Sequence, residues 1–230
     1  MMRKNLSINS KHLTVMNNKI SPNIIPNNVT APVLDWCLNF NNIDKYLTGR
    51  HQATSSYRHM RRSDDTNVYS TCHLGLMGEY MPGFPLESYD QIKKYILNTF
   101  ELQPVPVDPV FGDMISYSTG MYQCHYHMDP CINYTSSNPM IHTRLNVLIS
   151  KPEIGGEQIV YDSPVDPFPQ DISPQVYNVV VNQPWAMIAG AYTHGTKSIE
   201  SVSSTVPRII LSYGMYISKS ELYERGWLTD

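Results

Sequence analysis

The stretch GMYQCHYHMDP, residues 120–130, decides how the rest of the chain is read. It places His127 and Asp129 two residues apart at the end of an expected strand, where the period of two sets both on one face. An imidazole and a carboxylate pointing into one space can fill two neighbouring coordination positions of a divalent iron, and one further histidine completes a facial set. His194 is the natural third. It follows the apolar stretch WAMIAGAY, sixty-seven residues after His127, and comes near it only if two distant strands are neighbours in space. Two polar residues at a solvated strand end give the same pattern, so the pair alone does not settle a metal site.

On either side of that stretch the chain from Pro109 onward reads as short strands rich in Val, Ile and Tyr, broken by Gly, Pro, Asn and Ser. The expected strands are 113–128, 142–150, 158–161, 177–181, 186–192 and 208–217. Several short strands with turn signals point to a mainly β fold, a sandwich, jelly roll or barrel, with helices bracing one sheet. One helix is expected over 32–48, where Val33, Trp36, Cys37, Phe40, Ile43 and Leu47 recur at helical spacing and Gly49 can stop the segment. A second is expected over 88–101, where Ser88 and Gln91 fit a capping box and Ile92, Tyr95, Ile96 and Phe100 share a face. Ser218 with Glu221 opens a short last helix that Gly226 can close. Residues 1–30 hold seven asparagines and no sustained periodicity, as a loosely ordered arm would, which leaves 31–230 as a single domain.

Composition narrows the function classes. At 230 residues one core can serve the whole chain, and 41% hydrophobic against 16% charged residues excludes a highly charged disordered protein. Seventeen basic against twenty acidic side chains leave a charge of −3, so no global attraction to nucleic acid or to anionic membrane is expected. The basic run RHMRR at 58–62 reads as a solvated surface. No apolar run is long enough to span a bilayer, and the opening residues lack the apolar stretch of a signal peptide, so a cytoplasmic protein with reduced cysteines is expected. No phosphate loop, dinucleotide fingerprint or GxSxG elbow is present, which argues against nucleotide-dependent and serine-hydrolase chemistry.

Taken in order, Tyr117, the pair His127-x-Asp129, HTRLNVLISKPEIGGEQIVYD at 142–162, THGTKSI at 193–199 and PRIILSYG at 207–214 form a series. It resembles the Fe(II)- and 2-oxoglutarate-dependent oxygenases, more narrowly the prolyl-hydroxylase-like group, over roughly residues 109–217. The resemblance implies a double-stranded β-helix (a jelly roll, cupin-like) with His127, Asp129 and His194 as iron ligands. It also implies 2-oxoglutarate and O2 as co-substrates, with ascorbate as a supporting reductant. Arg208 would receive the far carboxylate of 2-oxoglutarate, through a planar fork of donors suited to a carboxylate. It stands fourteen residues after His194, farther than is usual in the narrower group, and Ile210 replaces the serine of an Arg-x-Ser pair. Arg208, Ser212 and Gly214 nevertheless share a face.

Other residues bear on the same site. Arg144 is the competing anchor, since His142, Arg144 and Asn146 share one face of the next strand and a buried cation calls for an anion, either co-substrate or substrate. Tyr117 occupies the place where related enzymes use a phenol toward the co-substrate. Gly155 and Gly156 read as turn chemistry. The expected reaction is hydroxylation of a C–H bond in a small molecule or amino acid, with a peptide as the other option. A carboxylate at 129 fills the place that a halide takes in related halogenases, so chlorination is not expected. Two other classes stay open. His125, His127 and His194 can form a three-histidine, cupin-type dioxygenase that does without 2-oxoglutarate. A non-enzymatic jelly-roll binding module would carry the same histidines as ordinary polar residues.

Overall fold

The computed structural model describes residue 16 and residues 19–39, 69–73, 83–103, 113–118, 136–161, 175–197 and 206–229, with the backbone alone for 69–73 and 117–118. His125, His127 and Asp129, Phe40 to Leu47 of the first expected helix, and the RHMRR run all lie outside these residues.

The described chain is mostly antiparallel sheet with few helices. Its strands are β1 (Tyr69–His73), β2 (Met114–Ser118), β3 (Met140–Ser150), β4 (Gln158–Val160), β5 (Gln175–Tyr177), β6 (Pro184–Met187), β7 (His194–Thr196) and β8 (Arg208–Ser218). Its helices are α1 (Asn27–Leu38), α2 (Leu86–Thr99) and α3 (Lys219–Glu224). One sheet has the order β1-β2-β8-β3-β6 and the other β5-β4-β7. The long antiparallel ladder of β3 on β8, from Met140↔Ser218 to Ser150↔Ile209, is the spine of the larger sheet.

Alternation divides that spine into two faces. On the outer face Ile141, Leu145, Val147 and Ile149 of β3 and Ile209, Leu211, Tyr213, Met215 and Ile217 of β8 pack with Val33 and Trp36 of α1 and Ile92 and Ile96 of α2. On the inner face Leu148 and Ile210 meet Val160 and Tyr177 of the smaller sheet, with Trp185 and Met187 of β6. The two sheets therefore pack against each other, and the helices cover only the outer side of the larger one.

Helix boundaries differ from the sequence expectation for local reasons. α1 begins at Asn27, earlier than expected, because Pro26 holds the N-cap at φ −57° and Pro32 is accommodated inside the helix. α2 begins at Leu86, and Ser88 does not cap it: Gln91 donates to Glu87 Oε1 at 3.3 Å instead. At α3 the expected cap forms, with Ser218 Oγ accepting from Glu221 N at 3.2 Å and Gly226 leaving the helix at φ +65°.

The chain before α1 is also engaged. Ser21 N donates to the Pro184 carbonyl at 2.9 Å, Ala186 N to the Lys19 carbonyl at 2.7 Å, and Ile25 N to the Asn182 carbonyl at 2.9 Å, so residues 19–25 cover the open edge of β6. Among the described residues no helix is long and apolar enough to cross a membrane.

Candidate functional site

The space between the sheets is buried but not apolar throughout. His142, Arg144 and Asn146 of β3, Ser212 of β8, and His194 and Thr196 of β7 are all buried, as is Arg208 at the start of β8. Among the described residues the buried set includes the cations Lys19, Arg144 and Arg208 and no carboxylate.

His194 is placed by the smaller sheet. It stands opposite Val160 in the β4–β7 ladder, and Val160 belongs to the cluster between the sheets, so the imidazole shares the inward face. Its Nδ1 lies 3.0 Å from the Tyr192 carbonyl. A carbonyl only accepts, so in this bond Nδ1 carries the proton. An imidazole whose second nitrogen is tied to a carbonyl is the usual arrangement of a metal-bound histidine. The loop before it is fixed by Gly190 N to the His142 carbonyl at 2.8 Å and Tyr161 N to the Thr193 carbonyl at 2.8 Å.

Arg208 is 3% exposed, and its Nε donates to the Gly156 carbonyl at 2.6 Å. That carbonyl is available because Gly155 and Gly156 both take positive φ, 86° and 74°, a turn that would strain any residue with a Cβ. Gly156 N in turn donates to the Lys197 carbonyl at 3.2 Å, which ties the turn to the strand carrying His194. The two glycines thus do more than reverse the chain: they join the smaller sheet to the arginine of the larger one.

Arg144 lies at the middle of β3 opposite Gly214, and its Nη1 is 3.4 Å from Ser212 Oγ. The serine hydroxyl does point to the inner face. Ser212 stands four residues beyond Arg208, about 13 Å along the strand, so the two guanidinium groups address different levels of the same space.

Tyr117 belongs to β2, where only its backbone is described. In the β2–β8 ladder it stands opposite Ile209, while Ser116 and Ser118 stand opposite Ile210 and Arg208. This register is that of the backbone alone. Among the described residues no three His, Cys, Asp or Glu side chains converge on one point; two of the three expected ligands, His127 and Asp129, lie in the span between β2 and β3 that is not described.

Sequence reading missed the Tyr192 carbonyl behind His194, the Gly156 carbonyl behind Arg208, and Gln158, whose Nε2 donates to the Gly195 carbonyl at 2.6 Å and braces β7. Main-chain partners carry no residue-type signal, so only the ladder register exposes them. Tyr177, fully buried in the inter-sheet cluster, has its phenol pushed up by burial and then by Tyr192, and stays neutral as part of an apolar wall.

The structure is similar to that of AviO1 from Streptomyces viridochromogenes Tue57, with a TM-score of 0.55 and 11% sequence identity, covering 89% of this chain and 94% of that one. At that identity the likeness is one of fold. Two weaker likenesses are to a prolyl-4-hydroxylase from Pseudomonas putida and an oxidoreductase of the 2OG-Fe(II) oxygenase family from Burkholderia pseudomallei. Their TM-scores are 0.44 and 0.43, with 10% and 13% identity. They cover 84% and 67% of this chain, and 88% and 70% of those chains. No protein-family model matches the sequence, and no curated protein matches it.

Proposed function

We propose that the chain is a non-haem iron, 2-oxoglutarate-dependent dioxygenase that hydroxylates a C–H bond of a small molecule or amino acid, with a peptide as the other substrate class. The observation that carries this reading is the pairing of an inward, Nδ1-anchored His194 with a buried Arg208 on facing sheets.

The winding supports it. From β3 onward the chain visits the larger sheet, the smaller sheet twice, the larger, the smaller and the larger again, which is the alternation of a double-stranded β-helix. β2 and β3 both belong to the larger sheet, and the connection between them lies outside the described residues. That connection carries His127 and Asp129, which would complete the set begun by His194.

The donor chemistry fits. An imidazole whose Nδ1 is committed to a carbonyl suits a ferrous ion at its other nitrogen, and a buried guanidinium suits the far carboxylate of a dicarboxylate. Iron held there would supply the oxidative step, in which O2 and 2-oxoglutarate yield succinate, carbon dioxide and one oxygen atom for the substrate C–H bond. The chain's own residues bind, orient and shield. Tyr192 fixes the imidazole, Arg208 sets the co-substrate's direction, and the apolar cluster around Tyr177 and Trp185 keeps water from the interior. Arg144 remains the second cation available to co-substrate or substrate.

The test supplies iron, 2-oxoglutarate and ascorbate to the purified chain and measures succinate. Turnover is expected in the wild type and its loss, together with tight iron binding, in Asp129→Ala. Full activity in that variant would remove the ligand assignment, and a wild type that never forms succinate would remove the reading.

A further inference from the structure

Lys19 is one of the few charged side chains buried in the described fold, and it comes from the segment before α1 rather than from either sheet. Its main chain is fixed by the bond from Ala186 N and by its own N–H donating to the Met16 carbonyl at 3.0 Å. Next to it, Ile20 bridges to Trp185 of β6, and Gln183 Nε2 donates to the Ser21 carbonyl at 2.8 Å. These bonds hold the lysine against the loop that precedes His194, where its Nζ sits 4.9 Å from the centroid of the Tyr192 ring. The carbonyl of that same Tyr192 accepts the His194 Nδ1 proton.

An ammonium taken out of water is costly, and the face of a phenol ring is one of the few neutral surfaces that offsets the cost. The contact restrains both partners: the ring keeps the ammonium inside, and the ammonium keeps the ring from turning. Restraining Tyr192 also restrains the peptide that orients the imidazole. We infer that Lys19 is a positioning residue for His194, acting through the Tyr192 ring and carbonyl, so that the N-terminal segment is part of the metal site's support. The inference rests on the reading of His194 as a metal ligand and adds to it a residue 175 positions away in sequence.

The test uses the full chain loaded with Co(II) as a spectroscopic stand-in for iron, and reads both the Kd for Co(II) and the visible absorption of the bound ion. Loss of a residue that orients a ligand typically weakens a metal about 10- to 100-fold. Lys19→Met is expected to weaken Co(II) by about tenfold and to shift the spectrum, with the metal-free unfolding temperature close to wild type. Lys19→Arg, which keeps a cation over the ring, is expected to restore both. His194→Ala is the reference. If it binds Co(II) as the wild type does, the metal-ligand reading falls and the inference with it. If His194→Ala loses the metal while Lys19→Met keeps wild-type affinity and spectrum, the inference alone falls. Should Lys19→Met not fold, Tyr192→Phe and Tyr192→Leu decide. Phe keeps the ring face and should match wild type, Leu should not, and equal behaviour of the two overturns the proposal.

Discussion

The outer and inner faces of the β3–β8 ladder are made by the same strands and are both buried, yet their chemistry differs. Outward, Ile141, Leu145, Val147 and Ile149 meet Ile209, Leu211, Tyr213, Met215 and Ile217 under two helices. Inward, His142, Arg144 and Asn146 meet Ser212, with Arg208 at the end of the row. Burying apolar surface stabilises the fold, whereas burying cations and amides costs free energy that only ligands or specific hydrogen bonds return. The outer face is apolar along the ladder, whereas the inner face interrupts the apolar contacts of Leu148 and Ile210 with a polar row that costs stability.

Breaking the outer face should have the largest effect. Leu145→Ala removes a fully buried side chain from the helix-side cluster, and such a deletion costs about 2–5 kcal/mol. Denaturant unfolding should register that loss, while the folded fraction keeps its apparent Michaelis constant for 2-oxoglutarate. A changed constant with unchanged stability would reverse the roles of the two faces.

An inner-face change should do the converse. Arg208→Ala deletes charge-assisted hydrogen bonds worth about 1.5–3 kcal/mol, so the Michaelis constant for 2-oxoglutarate should rise by roughly 10- to 150-fold with iron affinity retained. Arg144→Met, similar in length and without charge, should leave that constant near wild type. The opposite pattern would move the carboxylate clamp from Arg208 to Arg144.

The smallest effect lies at the margin of the outer face. Asp113 precedes β2 and holds Lys93 of α2 at 2.8 Å, with burial raising its carboxyl above the usual 3.8 and the Lys93 contact opposing that rise. A carboxyl raised by folding binds its proton more tightly in the native chain. Its contribution is therefore fully present below pH 3.8 and is lost as pH climbs through the higher folded value. Asp113→Asn should remove that downward drift from the acid-side stability profile, measured as unfolding midpoint against pH. An unchanged profile would mean that Lys93 cancels the burial effect.

Legibility in the sequence followed the physics of each feature. β3 and β8 were readable almost to the residue, because stretches rich in Ile, Val, Leu and Tyr between turn signals favour strands. The inward sharing of Arg208 and Ser212 needed only a period of two, and the buried Trp36 and Trp185 only their size and apolarity. Tyr117 was assigned by resemblance to related enzymes, whereas its pairing with Ile209 in the β2–β8 ladder is set by the tertiary structure. Ser88 matched a capping pattern that the helix did not use, since a cap forms only where the chain actually turns into the helix.

Alternation, turn chemistry and the spacing of His and Asp are local or type-encoded properties, and from them the sequence by itself determined a mainly β chain and its principal strands, and nominated candidate residues for a site. Tertiary structure alone decided that the Gly156 carbonyl meets Arg208, that the Tyr192 carbonyl holds Nδ1 of His194, and that Lys19 reaches Tyr192 from the chain before α1. Those contacts join main-chain groups and side chains far apart in the chain, and the pairing of distant segments is settled by how the sheets and the N-terminal edge pack, which no local pattern of residue types records.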